Sequence, residues 1–338
     1  MPKRRSKSNA TYTDDGTAAS AQVELRSCQQ CRNGRILQVR RVLVLIGVYL
    51  CAAGAAQQTT PRQPIFKSAI DLTTVTATVL DKNGALVTGL PREAFDVFED
   101  GEKQEITQFT NERVPVSLCV LLDISDSMYG QRLQDARAAI QDFVGGLLNR
   151  GDEFSILAFN HQQQWIARWT SDPAVASMVM TPLRPSGSTA IYDAIVAAVP
   201  AMTVRNRQRA AMLIVSDGAD TASDRTLRDV RSALLRSDAF AYAIAIDPPD
   251  RRPINVTVNA TALSEITDPS GGRTRTVRSS ADLSTALGEI AEELNSQYLI
   301  GYTSTRSVDG KYHSIRVRVR GTDDRVRARN GYVADPRD

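Results

Sequence analysis

Asp123-Ile124-Ser125-Asp126-Ser127 places an acid and two hydroxyls at alternating positions, directly after the apolar run 116–122. Oxygen-only donors at this spacing suit a hard cation such as Mg²⁺, which prefers six oxygens and gives up its waters reluctantly. An apolar run of this length reads as a buried strand, and open α/β sheets bind ligands in the loops at the carboxyl ends of their strands. Two further segments carry donors of the same kind. Gly187-Ser188-Thr189 precedes a helical stretch with Asp193 and Ala194, and Ser216-Asp217-Gly218 follows a second apolar run. All three are expected to converge at one sheet edge.

A strand-end aspartate with Mg²⁺ is also the layout of a phosphotransfer nucleophile. The sequence argues against that chemistry. Asp123-Ile124-Ser125 lacks the second acid of a D-x-D pair, and no G-x-x-x-x-G-K-[ST] or G-x-S-x-G segment is present. His161 and His313 are the chain's two histidines, and neither belongs to the three motifs. Binding rather than catalysis is therefore expected. A structural envelope-assembly protein with a purely structural metal is the alternative, and a Mg²⁺-dependent phosphatase-like hydrolase ranks last.

The elements that must position these residues follow from periodicity. The runs 154–159, 211–215 and 239–246 read as strands, and 165–169 as a short edge strand. Leu133, Ala136, Ile140, Phe143, Val144 and Leu147 fall on one helical face. Residues 193–204, 227–235 and 283–294 also read as helices. Strand–helix alternation predicts an α/β fold with a Rossmann-like, mainly parallel sheet and helices on both faces. Before it, Val75, Ala77 and Val79 alternate with threonines, and Asn83-Gly84 and Asp100-Gly101 signal turns. After it, residues 298–303 form a strand, Ile315, Val317 and Val319 alternate with Arg316, Arg318 and Arg320, and 325–333 makes a third strand. The flanking β segments cannot bury their apolar faces alone, so they are expected to pack together as one accessory β layer.

The three motifs together resemble the metal-ion-dependent adhesion site of von Willebrand factor type A domains, including the inserted domains of integrins. The resemblance implies that Ser125 and Ser127 ligate the metal through their hydroxyls. It implies that Thr189 binds directly in one conformation and through water in another, and that Asp123 and Asp217 mostly hold coordinated waters. Neutral hydroxyl ligands leave much of the ion's charge uncompensated, which favours a carboxylate from a partner at the open position. The expected cofactor is Mg²⁺ (or Mn²⁺ or Ca²⁺), and the expected partner is a protein supplying an acidic residue at the rim of the site. The segments Phe95-x-Val97-x-Glu99-Asp100-Gly101, Tyr298-Leu299-Ile300-Gly301-Tyr302 and Arg327-Ala328-Arg329-Asn330-Gly331-Tyr332 look like a secreted family best known from Acidobacteria. In that family a von Willebrand factor type A-related domain lies between β segments.

Several other residues have plainer readings. Asp126 and Asp220 read as peripheral or capping charges, and Asp193 as helix-start chemistry. Arg150-Gly151-Asp152 spells a recognition tripeptide but sits where a helix turns into a strand. Cys119 reads as a small core residue, Arg316, Arg318 and Arg320 as a solvated strand face, and Trp165 and Trp169 as edge-strand residues. The sequons at Asn255 and Asn259 carry no expected role, and the loop from Pro248 to Ala260 reads as a surface excursion.

Net charge is +3 over 338 residues. Residues 1–56 hold nine Lys/Arg and three Asp/Glu, which leaves 32 basic and 35 acidic residues beyond them. That balance excludes a general nucleic-acid surface. Arg40-Arg41, the apolar run 42–50 and Ala53-Gly54-Ala55 make a signal-peptide pattern within a long leader. An extracytoplasmic location (periplasm, envelope or secreted) is expected, with membrane contact only through an uncleaved signal anchor. Cys28-Gln29-Gln30-Cys31 has no second pair, so it is weak evidence for a metal. The expected organisation is leader 1–56, linker 57–67, N-terminal β segment 68–113, α/β domain 116–297 and C-terminal β segment 298–335.

Overall fold

The computed structural model describes residues 72–147, 151–217, 219–247, 259–304, 306 and 309–334. All belong to the second of the chain's two compact units, Phe66–Asp338. The leader with its signal-peptide pattern and cysteine pair, the linker, Arg150, Gly218, Asn255 and the segment 248–258 lie outside the described residues.

The described chain begins with four strands, β1 (Leu72–Leu80), β2 (Phe95–Glu99), β3 (Glu102–Gln104) and β4 (Ile106–Thr110). In β1 the side chains of Val75, Ala77 and Val79 share the buried face, while Thr74 and Thr76 are half-buried on the other and Thr78 on that face is buried, as the two-residue period of a strand places them. Asp100 and Gly101 join β2 to β3 with φ of 49° and 84°, the pair of positive values that lets a two-residue turn follow the strand twist.

The central region then runs β5 (Val116–Asp123), α1 (Gln131–Asp142), β6 (Glu153–Phe159), β7 (Gln163–Thr170), α2 (Pro173–Met180) and α3 (Ile191–Thr203). It continues through β8 (Arg209–Ser216), α4 (Leu227–Arg236), β9 (Phe240–Ile246), α5 (Ala260–Thr267), β10 (Thr274–Val277) and α6 (Ser280–Asn295). These strands form one six-stranded sheet in the order β10-β9-β8-β5-β6-β7. All neighbours are parallel except β7, which runs antiparallel to β6. The expected α/β architecture is observed.

Every residue of β5 is buried because helices cover both faces of the sheet. Leu118, Val120 and Leu122 pack with Leu133, Ile140, Met180 and Leu287 on one face. Cys119 and Leu121 pack with Ile195, Ala198, Val230 and Ile266 on the other. The chain leaves β5 for β6 and β7, then returns to β8 on the opposite side of β5. The sheet's switch point therefore lies between β5 and β8, where a ligand crevice opens in such folds.

Four strands close the chain, β11 (Tyr298–Thr303), β12 (Tyr312–Val319), β13 (Arg325–Ala328) and β14 (Gly331–Val333). They interleave with the first four in two sheets, β13-β1-β11-β4 and β14-β12-β2-β3. Val75, Phe95, Val97, Tyr298, Ile300, Ile315 and Val317 form a common core, so the accessory layer is a two-sheet sandwich. The strand expected over 325–333 divides into β13 and β14, one in each sheet. Gly331 makes this possible, since a Cβ there would lie 2.4 Å from the His313 carbonyl oxygen.

The sandwich meets the central sheet through a buried polar cluster. Glu293 of α6 accepts hydrogen bonds from Tyr242 of β9 at 2.8 Å and Thr78 of β1 at 3.4 Å, and pairs with Arg327 of β13 at 2.5 Å. Among the described residues no helix is long and apolar enough to cross a membrane.

Candidate metal centre

Asp123 ends β5 beneath a loop whose shape is fixed by local chemistry. Ser125 is extended, Asp126–Met128 forms one 3-10 turn, and buried Met128 anchors that turn. The Ile124 amide donates to the Phe159 carbonyl at 2.8 Å, tying the loop to β6. Gly130 has φ 80°, a left-handed geometry that suits glycine and turns the chain into α1.

Hydrogen bonds bring the other two motifs to this loop. The Asp126 amide donates to the Gly187 carbonyl and the Ser186 amide to the Ile124 carbonyl, each at 2.9 Å. The Thr221 and Ala222 amides donate to the Thr189 carbonyl at 2.8 and 2.9 Å. Asp123, Ser125, Ser127, Thr189 and Asp217 are thus carried by three mutually bonded loops at the switch point. The Ser125 and Ser127 hydroxyls are 2.9 Å apart.

The two acids stand in different surroundings. Asp123 is wholly buried, and each carboxylate oxygen already accepts a bond: Oδ1 from the Ser125 amide at 2.8 Å, Oδ2 from the Ser216 hydroxyl at 2.6 Å. Burial pushes its pKa up to about 6 against the lowering effect of those bonds, and the negative charge of Asp217 adds to the rise. Asp217 is 1% exposed, and neither of its buried carboxylate oxygens accepts a hydrogen bond. Its nearest cationic partner is Arg132, 4.0 Å away. Asp217 therefore offers two free oxygens where Asp123 offers only its remaining lone pairs, a division that the expected water-holding role for both acids did not contain.

A buried carboxylate without a hydrogen bond costs several kcal/mol, of order ~3–5 when a charged partner is lacking. Asp217 is such an acid, and with the hydrogen-bonded carboxylate of Asp123 adding its negative charge nearby, the site calls for positive charge. Two acids with the hydroxyls of Ser125, Ser127 and Thr189 make an oxygen-only donor set, which fits Mg²⁺, Mn²⁺ or Ca²⁺ rather than a thiolate- or imidazole-seeking metal. Among the described residues no group of three or more His, Cys, Asp or Glu side chains is placed to hold a metal, so the hydroxyls are essential to this fit.

Two neighbours escaped sequence reasoning. Arg132, in the first turn of α1, donates to the Ser127 carbonyl at 2.6 Å while facing Asp217. His161, expected apart from the motifs, lies against the middle one: Gly187 has φ 74°, and a Cβ there would sit 2.4 Å from His161 Nδ1. Its place just after β6 puts it at the sheet edge that bears the motifs, but names no neighbour.

The remaining acids take local roles. Asp193 accepts from the Arg225 and Asp224 amides at 2.9 and 3.1 Å. Asp220 accepts from the Ser223 hydroxyl at 2.6 Å, and Asp126 is exposed on the 3-10 turn. Asp152 is 4% exposed and bonded to Arg113 and the Val116 amide, so the acid of the tripeptide is not displayed. Cys119 is fully buried, and burial pushes its thiol up to about 12. Trp169 donates to the Ala201 carbonyl at 3.2 Å, and both tryptophans lean on the core.

No curated protein matches the chain. Solved structures similar to it include an aerotolerance-related membrane protein from Bacteroides fragilis, with 23% identity, a TM-score of 0.46 and coverage of 53% of this chain and 98% of that one. A von Willebrand factor type A protein from Catenulispora acidiphila shares 13% identity over 77% of this chain and 73% of its own, with a TM-score of 0.47. The von Willebrand factor domain of a type V pili tip protein from Porphyromonas gingivalis shares 15% identity, covering 54% and 96%, with a TM-score of 0.45. Residues 118–219, the span from β5 through the Asp217 loop, match the model of the von Willebrand factor type A domain.

Proposed function

We propose that the chain is an exported, divalent-cation-dependent protein-binding module whose three loops form a complete metal-ion-dependent adhesion site. The observation that carries this reading is Asp217, a buried carboxylate with no hydrogen bond on either oxygen, beside buried Asp123. Asp123, Ser125, Ser127, Thr189 and Asp217 would hold Mg²⁺, or Mn²⁺ or Ca²⁺ in its stead. The bound ion supplies a positively charged open position that takes a carboxylate from a partner protein. Ser216 and the Ser125 amide hold Asp123 in place, and Arg132 steadies the Ser127 loop.

Export to the periplasm, envelope or medium rests on the basic, apolar and small-residue pattern of the leader. The sandwich of N- and C-terminal strands fits membership of the secreted family that the flanking motifs resemble. The test is capture of partners from an envelope extract by wild type, Asp123→Ala and Ser127→Ala, with and without EDTA. Capture is expected to disappear in EDTA and in both variants while their circular dichroism stays native. Capture that persists unchanged in all of them overturns the reading.

A further inference from the structure

Beside the cation loop, between α1 and the segment that follows α2, lies an open groove of about 490 Å³. Leu133 and Leu183 are its buried floor, and Tyr129, Pro185, Arg137 and Arg184 surround them. Tyr129 is 80% exposed, the highest value among the exposed large hydrophobic residues described. Tyrosine is enriched at the anchoring positions of protein interfaces.

The groove also carries unbalanced positive charge. Arg137 donates to the Leu183 carbonyl, and Arg184 donates to the Thr181 and Leu183 carbonyls at 3.1 and 2.8 Å. Neither forms an ion pair with an acid among the described residues, and no acid lines the groove. The two guanidinium groups are close enough for Arg184 to disfavour charge on Arg137, second to burial itself. The groove begins next to the proposed ligands. Tyr129 is two residues beyond Ser127, so their Cα atoms are at most about 7 Å apart.

We propose that this groove reads an acidic segment of the partner protein. Its first carboxylate goes to the cation, a large apolar side chain within two residues packs on Leu133 and Leu183 against Tyr129, and a second carboxylate pairs with Arg184. Charge complementarity and contiguity with the cation loop select this occupant. The proposal rests on the cation-bridged reading above and names the chemistry that the reading leaves open.

The full chain is titrated, in Mg²⁺ and in EDTA, with fluorescent peptides bearing aspartate, leucine two positions on, and then glutamate in a glycine–serine background. Control peptides change the aspartate to asparagine, the leucine to serine, or the glutamate to lysine. The parent peptide is expected to bind in Mg²⁺ only, and the serine peptide about tenfold more weakly. Tyr129→Ala should erase that difference. The lysine peptide should bind wild type poorly and recover on Arg184→Glu, a reversal that misfolding cannot produce. Equal binding of leucine and serine peptides in Mg²⁺ overturns the groove and leaves the cation reading standing. Equal binding of the asparagine peptide, or no binding of any peptide at millimolar concentration, overturns both. Anionic lipid vesicles that bind through Arg184 with no peptide selectivity also overturn the groove assignment.

Discussion

Asp217 and Asp123 show how neighbouring acids of the same type become chemically distinct. Asp123 has each oxygen engaged by a donor from the loops, whereas Asp217 has none and faces Arg132 at 4.0 Å. Removing the charge of Asp217 while keeping its shape therefore separates stability from binding. In EDTA, Asp217→Asn is expected to melt no lower than wild type, because a buried charge with no hydrogen bond and only Arg132 at 4.0 Å, and its repulsion of Asp123, are gone. In Mg²⁺ the same variant should lose the cation-dependent rise in Tm, with affinity by calorimetry down at least about tenfold. Retained affinity would remove Asp217 from the ligand set. All five proposed ligands could be read from sequence, because each motif needs only residue type and position at a strand end or helix start. Arg132 and His161 could not, because their nearness to Asp217 and Gly187 depends on how separate loops bond to one another.

At the scale of elements, the strands of the central sheet were legible because burial on both faces leaves long apolar runs such as 116–122 and 239–246. Short elements without such a signature were not. Helix α2 is apolar nearly all round, so no helical period stands out, although Asp172 caps it and Pro173 opens it. Strand β10, at the sheet edge, exposes Arg275 and Thr276, and α5 is eight residues long. In the sandwich the informative element is β12, where His313 Nδ1 meets Asp100 at 2.8 Å and Nε2 meets Asp309 at 3.4 Å. Arg306 approaches Asp100 at 3.6 Å, and the Tyr332 ring packs on the imidazole. The bond to Asp100 raises the His313 pKa above its ordinary 6.5, outweighing burial, and lowers that of Asp100. A raised pKa in the folded state means stabilisation that is full below about 6.5 and lost as pH rises through the folded value. His313→Gln should therefore show its largest Tm deficit near pH ~5.5, where Asp100 remains ionised, and a smaller one near pH ~8.5. Melting curves across that range check this, and a deficit constant with pH would sink it.

The whole molecule has two ends with separate duties. The proposed metal loops crown the C-terminal ends of β5 and β8. The sandwich attaches at the opposite strand ends, where Arg209 donates to the Val114 carbonyl at 2.8 Å and bonds Gln297, and where Glu293 gathers Thr78, Tyr242 and Arg327. Sequence alternation indicated that the two terminal β segments would share a core. It carried no information on interleaving, since strand partners that lie at opposite ends of the described chain are chosen by the packed sheet and not by local pattern. That interleaving has a testable consequence. β11 lies between β1 and β4, and β12 lies between β14 and β2. A chain ending at Gln297 would leave β1 and β4 without strand neighbours and β2 paired only with β3. An isolated two-stranded ribbon is marginal in water. Hydrogen exchange of this truncated chain should find residues 72–110 unprotected while β5 and β8 stay protected by their neighbours in the parallel sheet. Tm should fall, because Glu293 loses Arg327 and the apolar faces of β1 and β2 lose their cover. Mg²⁺ affinity should stay within about threefold of the full chain, less than the tenfold that 1.4 kcal/mol represents, because all five proposed ligands sit at the far edge. A collapse of cation binding with β5 and β8 still protected would show instead that the sandwich shapes the site from across the sheet.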